Sequence, residues 1–238
     1  MTAWTPRSWA ATVRLAGLAL AGLALAALAL ATSGRAQAPA CGYDDLATDV
    51  RPAGDGRYTL LDPLYALPPD FAPVDLVPLR RAGFDDDRLI RAVVVPDLVA
   101  LREAAEAAGV PLEVQSAYRS YAYQERTFAY WVDLQGYQAA LRTSARPGHS
   151  EHQLGTAVDL RARGGAAPWD IDFGATEAGR WLLRNAWRYG FALSYPEGQE
   201  ARSCYAYEPW HWRWVGRELA SEVHRSGRVL RDLLWEDR

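Results

Sequence analysis

The chain has 238 residues, a formal net charge of -3, and basic side chains that are all arginine. That balance gives no reason to invoke nucleic acid or an anionic membrane surface as a partner. With two cysteines and four histidines in the whole chain, any disulfide or imidazole chemistry has few carriers. Arg7 and Arg14 lead into an apolar run of Leu, Ala and Gly from Leu15 to Ala31, and Ala36-Gln37-Ala38 follows as a small-residue exit. Residues 1–38 therefore read as a secretory signal peptide. Left uncut, the same 17-residue run is near the lower end of the roughly 17–25 residues that span a bilayer, and would act as a membrane anchor. A lipid anchor on Cys41 is a third option, which Pro39 disfavours. Export places the mature chain in the periplasm or cell envelope, where disulfides persist. There Cys41 and Cys204 are expected to pair, two separate thiols being the alternative.

Residues 39–95 are rich in Pro, Asp and Gly, and read as an irregular N-terminal wrap with one or two short strands or turns. The core is expected over 96–238. Pro96-Asp97 opens a helix through Ala108, with Leu98, Leu101, Ala105 and Ala108 at helical spacing and Gly109 as its stop. Leu112–Tyr118 reads as a strand. Ser120 to about Leu141 reads as one helix or two, with Tyr123, Phe128, Tyr130, Trp131 and Leu134 as apolar surface. Thr156–Arg161 alternates as a second strand. Thr176–Tyr189 is an amphipathic helix closed by Gly190, Phe191–Tyr195 a short strand, Tyr205–Val215 another, and Gly216–Leu234 a final helix. Helices and short strands without a regular βαβ rhythm predict an α+β domain: a small, largely antiparallel sheet flanked by helices, with the candidate site on the sheet face.

Catalytic zinc is held by three protein ligands, commonly His with a carboxylate, and keeps one position for water. His149 and His152 lie in a turn just before the strand that carries Asp159, and His211 lies in Glu208-Pro209-Trp210-His211-Trp212. Strand alternation puts Ala157, Asp159 and Arg161 on one side, opposite Val158 and Leu160. It puts His211 and Arg213 on one side, opposite Trp210, Trp212 and Trp214, a stripe best read as packing rather than a sugar platform. An imidazole, a carboxylate and a His from the preceding turn can converge on one metal. The competing reading is an Asp159 paired with Arg161 or Arg163 and isolated histidines. Glu208 and His211 are three apart, so a regular strand would put them on opposite faces, and Pro209 argues that the strand starts after Glu208.

The combination is more specific than its parts. Ser150-x-His152-x-x-Gly155-x-Ala157-x-Asp159, followed by Glu208-x-x-His211 and preceded by Ser116-Ala117-Tyr118-Arg119-Ser120 and Gln124, resembles the VanY-type D-alanyl-D-alanine carboxypeptidases. These are zinc peptidases related to lysostaphin and the hedgehog signalling domain. The resemblance covers roughly residues 90–215. It implies a Zn2+ cofactor on His152, Asp159 and His211, Glu208 as general base, and Arg119 as the group that grips a substrate carbonyl or carboxylate. It further implies that Ser150, Gln124, Tyr118 and Trp210 line a substrate pocket. His149 matches no ligand position and His224 reads as structural or surface. The implied partners are peptidoglycan stem peptides ending in D-Ala, with a membrane involved only if the N-terminal segment is retained. Removal of D-Ala from a pentapeptide (D,D) or a tetrapeptide (L,D) stem remains open, as do dipeptidase and endopeptidase variants. A binding module that has kept the fold and lost catalysis is the alternative from another class.

Overall fold

A computed structural model describes residues 1–2, 38–49, 54, 56–170 and 172–236. The predicted signal segment, apart from its first two residues and Ala38, lies outside the described residues. Residues 35–238 form one compact unit. Its N-terminal part is irregular, with two short ribbons: β1 (Leu46–Ala47) runs parallel to β2 (Tyr65–Ala66), and β3 (Leu76–Pro78) antiparallel to β4 (Leu89–Arg91).

Helix α1 (Val95–Ala107) starts with Pro96 in its first turn, where a missing N–H costs nothing. It buries Leu98, Leu101 and Ala105, and Gly109 leaves it with a positive φ of 75°. Asp97 sits at the positive end of the helix dipole. It also accepts hydrogen bonds from Trp214 Nε1 and Arg217 Nε, both at 2.8 Å, sewing this helix to the far end of the sheet. Strand β5 (Leu112–Ser116) leads to α2 (Tyr121–Gln135), capped by the Ser120 hydroxyl accepting from the Tyr123 amide. Gly136 breaks the run, and α3 (Tyr137–Thr143) follows. The apolar surface expected of α2 is not core: only Gln124 is buried on that helix, and Tyr123, Tyr130 and Leu134 are exposed.

A short turn of helix, Glu151–Leu154, precedes β6 (Ala157–Ala162). The amphipathic α4 (Glu177–Asn185) tightens at its end into a second such turn before Gly190. Then come β7 (Phe191–Leu193), the one-turn α5 (Glu200–Ser203) and β8 (His211–Trp214). The strand expected over Tyr205–Val215 is thus only its second half. The first half forms a loop in which Tyr205 is buried and Tyr207 and Trp210 are half-buried without strand pairing. The final helix is split into α6 (Gly216–Ser226) and α7 (Leu230–Glu236) around Gly227, which has φ 65°.

The four main strands form one antiparallel sheet in the order β5-β6-β8-β7. One face is oily: Val158, Leu160, Trp212 and Trp214 pack with Leu98, Leu101 and Leu182 from α1 and α4. The opposite face carries Asp159, His211 and Arg213, beside a second core of Ala192, Leu219, Leu230 and Leu234. The α+β architecture expected from the sequence is the one observed. Among the described residues, no helix is long and apolar enough to cross a membrane.

Candidate metal centre

The sheet register builds the site. Asp159 on β6 lies directly opposite His211 on β8. Residues opposite each other on one face of an antiparallel pair bring their side chains into contact, and His211 Nδ1 is 3.1 Å from Asp159 Oδ1. His152 arrives from the turn before β6. Ser150 Oγ accepts from the His152 amide (3.4 Å), and Gly155 closes the turn at φ 69° with its amide donating to the His152 carbonyl (3.1 Å). All three side chains are buried, and one ligand atom from each falls within 4.8 Å of the others. The alternative partners of Asp159 are engaged elsewhere: Arg161 pairs with Glu113 and Arg163 with Glu106.

The donor set fits a zinc ion. His152 Nδ1–H donates to the Ala117 carbonyl (2.7 Å), which leaves Nε2 as a bare lone pair. That nitrogen is buried without a hydrogen-bond partner and lies 3.3 Å from Asp159 Oδ1. Two electron-pair donors facing each other need a cation between them. Ligands at zinc distances around a tetrahedron are roughly 3.3 Å apart.

Electrostatics divides the two imidazoles. Burial, with the Arg119 charge nearby, lowers His152 to about 4 against the pull of Asp159. Burial also works against a charge on His211, but hydrogen bonds to Asp159 and Glu151 carry it up to about 10. Asp159 is held far below the usual carboxylate range: burial opposes its charge and the two histidines outweigh it. Burial raises Glu208 to about 7, although the His211 charge works the other way. Glu208 precedes β8 in a turn closed by the His211 amide on the Glu208 carbonyl (3.0 Å), and its Oε2 comes to 4.0 Å from His211 Nδ1. The irregular entry that Pro209 suggested is therefore present.

A cavity of about 810 Å³ opens over these groups. It is lined by Tyr118, Arg119, Gln124, Ser150 and Trp210, together with His152, Asp159, Glu208 and His211. Arg119 Nε and Gln124 Oε1 are buried there without hydrogen-bond partners, while Gln124 Nε2 donates to the Ala145 carbonyl (2.7 Å). Trp210 leaves the tryptophan stripe: it precedes the strand, packs partly on the core and lines the cavity, whereas Trp212 and Trp214 are core. His149 is buried outside the cavity, its Nδ1 on the Asp62 carbonyl (2.7 Å) and its Nε2 on Asp45 (2.9 Å). His224 stacks on Trp187, away from the site. Cys41 and Cys204 form a disulfide, with Cα atoms 5.4 Å apart.

Three residues that the sequence did not single out back the site. Tyr195 lies against the His211 ring (4.9 Å between centroids). Glu151 accepts at 2.9 Å from His211 Nε2, and Arg213 donates to Glu151 at 2.7 Å. The signal for the last pair was available: an Arg on the same strand face as a buried His needs a buried acid. Its partner, 62 positions away, was not readable.

The family model for D-alanyl-D-alanine carboxypeptidase (VanY) matches residues 87–217. The protein YodJ of Bacillus subtilis (strain 168) is 37% identical over 193 residues, covering 79% of this chain and 70% of YodJ. A D-alanyl-D-alanine carboxypeptidase of Enterococcus faecalis is 36% identical over 150 residues, covering 59% of this chain and 54% of its own. Among solved structures, the LdcB LD-carboxypeptidase superposes with a TM-score of 0.64 at 34% identity, over 74% of this chain and 84% of that one. VanYB in complex with D-alanine-D-alanine superposes with a TM-score of 0.65 at 30% identity, over 76% and 99%. A VanY D,D-pentapeptidase variant in complex with Zn(II) gives 0.65 at 31%, over 75% and 98%.

Proposed function

The chain belongs to the VanY family of D-alanyl-D-alanine carboxypeptidases, and on that premise we propose that it is a zinc carboxypeptidase that removes the terminal D-alanine from peptidoglycan stem peptides. His152, Asp159 and His211 would hold the ion. When bound there, zinc lowers the pKa of a water to about 7 and draws electron density from the scissile carbonyl. Glu208, largely withdrawn from solvent and raised to about 7, is suited to take a proton from that water near neutral pH and hand it to the leaving amine. Arg119 offers a guanidinium to the carbonyl oxygen or to the free carboxylate, the group that an exopeptidase must recognise. Gln124, Ser150, Tyr118 and Trp210 confine the end of the peptide and exclude water around it. The observation that carries this reading is the bare Nε2 of His152, 3.3 Å from Asp159 and buried without a partner.

The N-terminal layout and the disulfide support an exported protein working in the periplasm or cell envelope. The test is mass spectrometry of purified pentapeptide and tetrapeptide muropeptides after incubation with zinc-loaded protein. Loss of one alanine that stops with chelator and returns with zinc is expected. Loss from the pentapeptide reports D,D-activity and loss from the tetrapeptide L,D-activity. Both substrates surviving intact would overturn catalysis in favour of a binding module.

A further inference from the structure

We propose that Glu151 is a positioning residue for the metal centre: its carboxylate holds the proton of His211 on Nε2, so that Nδ1 faces the ion as a lone pair. This rests on the zinc reading above. A neutral imidazole carries one N–H, on one nitrogen or the other. Asp159 lies on the Nδ1 side of His211, its Oδ1 at 3.1 Å, and the same oxygen is 3.3 Å from His152 Nε2. A proton left on Nδ1 would bond Asp159 and occupy the ion's place. On the other side Glu151 Oε2 sits 2.9 Å from Nε2. In that wrong tautomer two lone pairs would face each other across this distance, so the carboxylate disfavours it.

Glu151 is itself fixed from several directions. Ser194 Oγ donates to Oε2 (2.6 Å) and Arg213 Nη1 to Oε1 (2.7 Å). Arg213, wholly buried, is anchored in turn on the carbonyls of Gly56 (2.9 Å) and Thr59 (2.5 Å) from the N-terminal wrap. A chain of contacts therefore runs from the wrap through Arg213 and Glu151 to one ligand. His152 is held differently, by the neutral Ala117 carbonyl. A carboxylate behind an imidazole also makes it a stronger electron donor to metal.

The competing account is a buried ion pair that only stabilises the fold. Zinc affinity by chelator competition, set beside urea unfolding of the zinc-free protein, separates the two in the full disulfide-bonded chain. Glu151→Gln is expected to fold and to bind zinc on the order of 10–100-fold more weakly. A folded Glu151→Gln with wild-type affinity would overturn the proposal. Should that variant fail to fold, the double variant Glu151→Leu with Arg213→Met, which buries no unpaired charge, decides by the same criterion. A third reading needs no substitution: 1H–15N spectra of zinc-bound wild type should place the His211 proton on Nε2, and a proton on Nδ1 refutes the assignment. Wild type that takes up no zinc would instead bring down the proposed function.

Discussion

Glu208 is the residue whose burial serves chemistry at a cost to the fold. Its carboxyl sits near 7 in the folded chain against an ordinary 4.5, so the folded protein binds this proton more tightly than the unfolded chain. The contribution to stability is whole below pH 4.5 and lost as pH rises through 7. Glu208→Gln is therefore expected to make the metal-free protein more stable above pH 7, by up to about 3 kcal/mol, with no gain near pH 4. Urea titrations of both proteins at the two pH values check it. The same variant should keep its metal and lose turnover by about 10²–10⁴-fold; metal-loaded protein with full activity would remove Glu208 from proton transfer. His211 gives a second pH signature. It holds a proton up to about pH 10 in the metal-free site, and metal must displace it. Apparent zinc affinity should then rise about tenfold per pH unit between pH 6 and 8, and a flat profile in chelator competition would contradict this.

Among the elements, the turn that delivers His152 is the most exacting. Gly155 adopts φ 69°, and a Cβ there would come to 2.9 Å from Arg91 Cγ and 3.0 Å from Leu76 Cδ2. Gly155→Ala is expected to destabilise by about 1–3 kcal/mol and to lower zinc occupancy by displacing His152; calorimetry and metal analysis measure the two effects. Strand alternation was legible because its period is short and its apolar members are bulky: Val158 and Leu160 went to the core and Asp159 to the opposite face, as the pattern requires. The glycine stops at Gly109 and Gly190 were legible, whereas Gly227, which ends α6, was read through as helix. Tyr205–Trp210 misled, since aromatic residues lining a cavity look like strand residues. On α2 the aromatic residues were expected to supply apolar surface, and the helix, which borders the cavity, leaves Tyr123 and Tyr130 exposed and Phe128 and Trp131 half-buried.

At the scale of the molecule, the disulfide joins Cys41 to the segment that leads into Glu208, across 163 positions. Replacing both cysteines by serine should cost about 2–5 kcal/mol of stability, read as a lower unfolding midpoint against the oxidised wild type. The meeting of His152, Asp159 and His211 was foreseeable from their motifs, but the chain of contacts behind it was not: besides Glu151, Arg213 is held by the backbone carbonyls of Gly56 and Thr59, groups that any sequence supplies. The register of β6 on β8 reaches furthest. Side chains alternate in twos along a ladder, so a slip of one rung would swing Asp159 or His211 into the oily side and turn that strand's own apolar residues out to water. Hiding two indoles is thereby harnessed to seating two ligands, and a chain that has folded its tryptophans away has already proofread its metal seat.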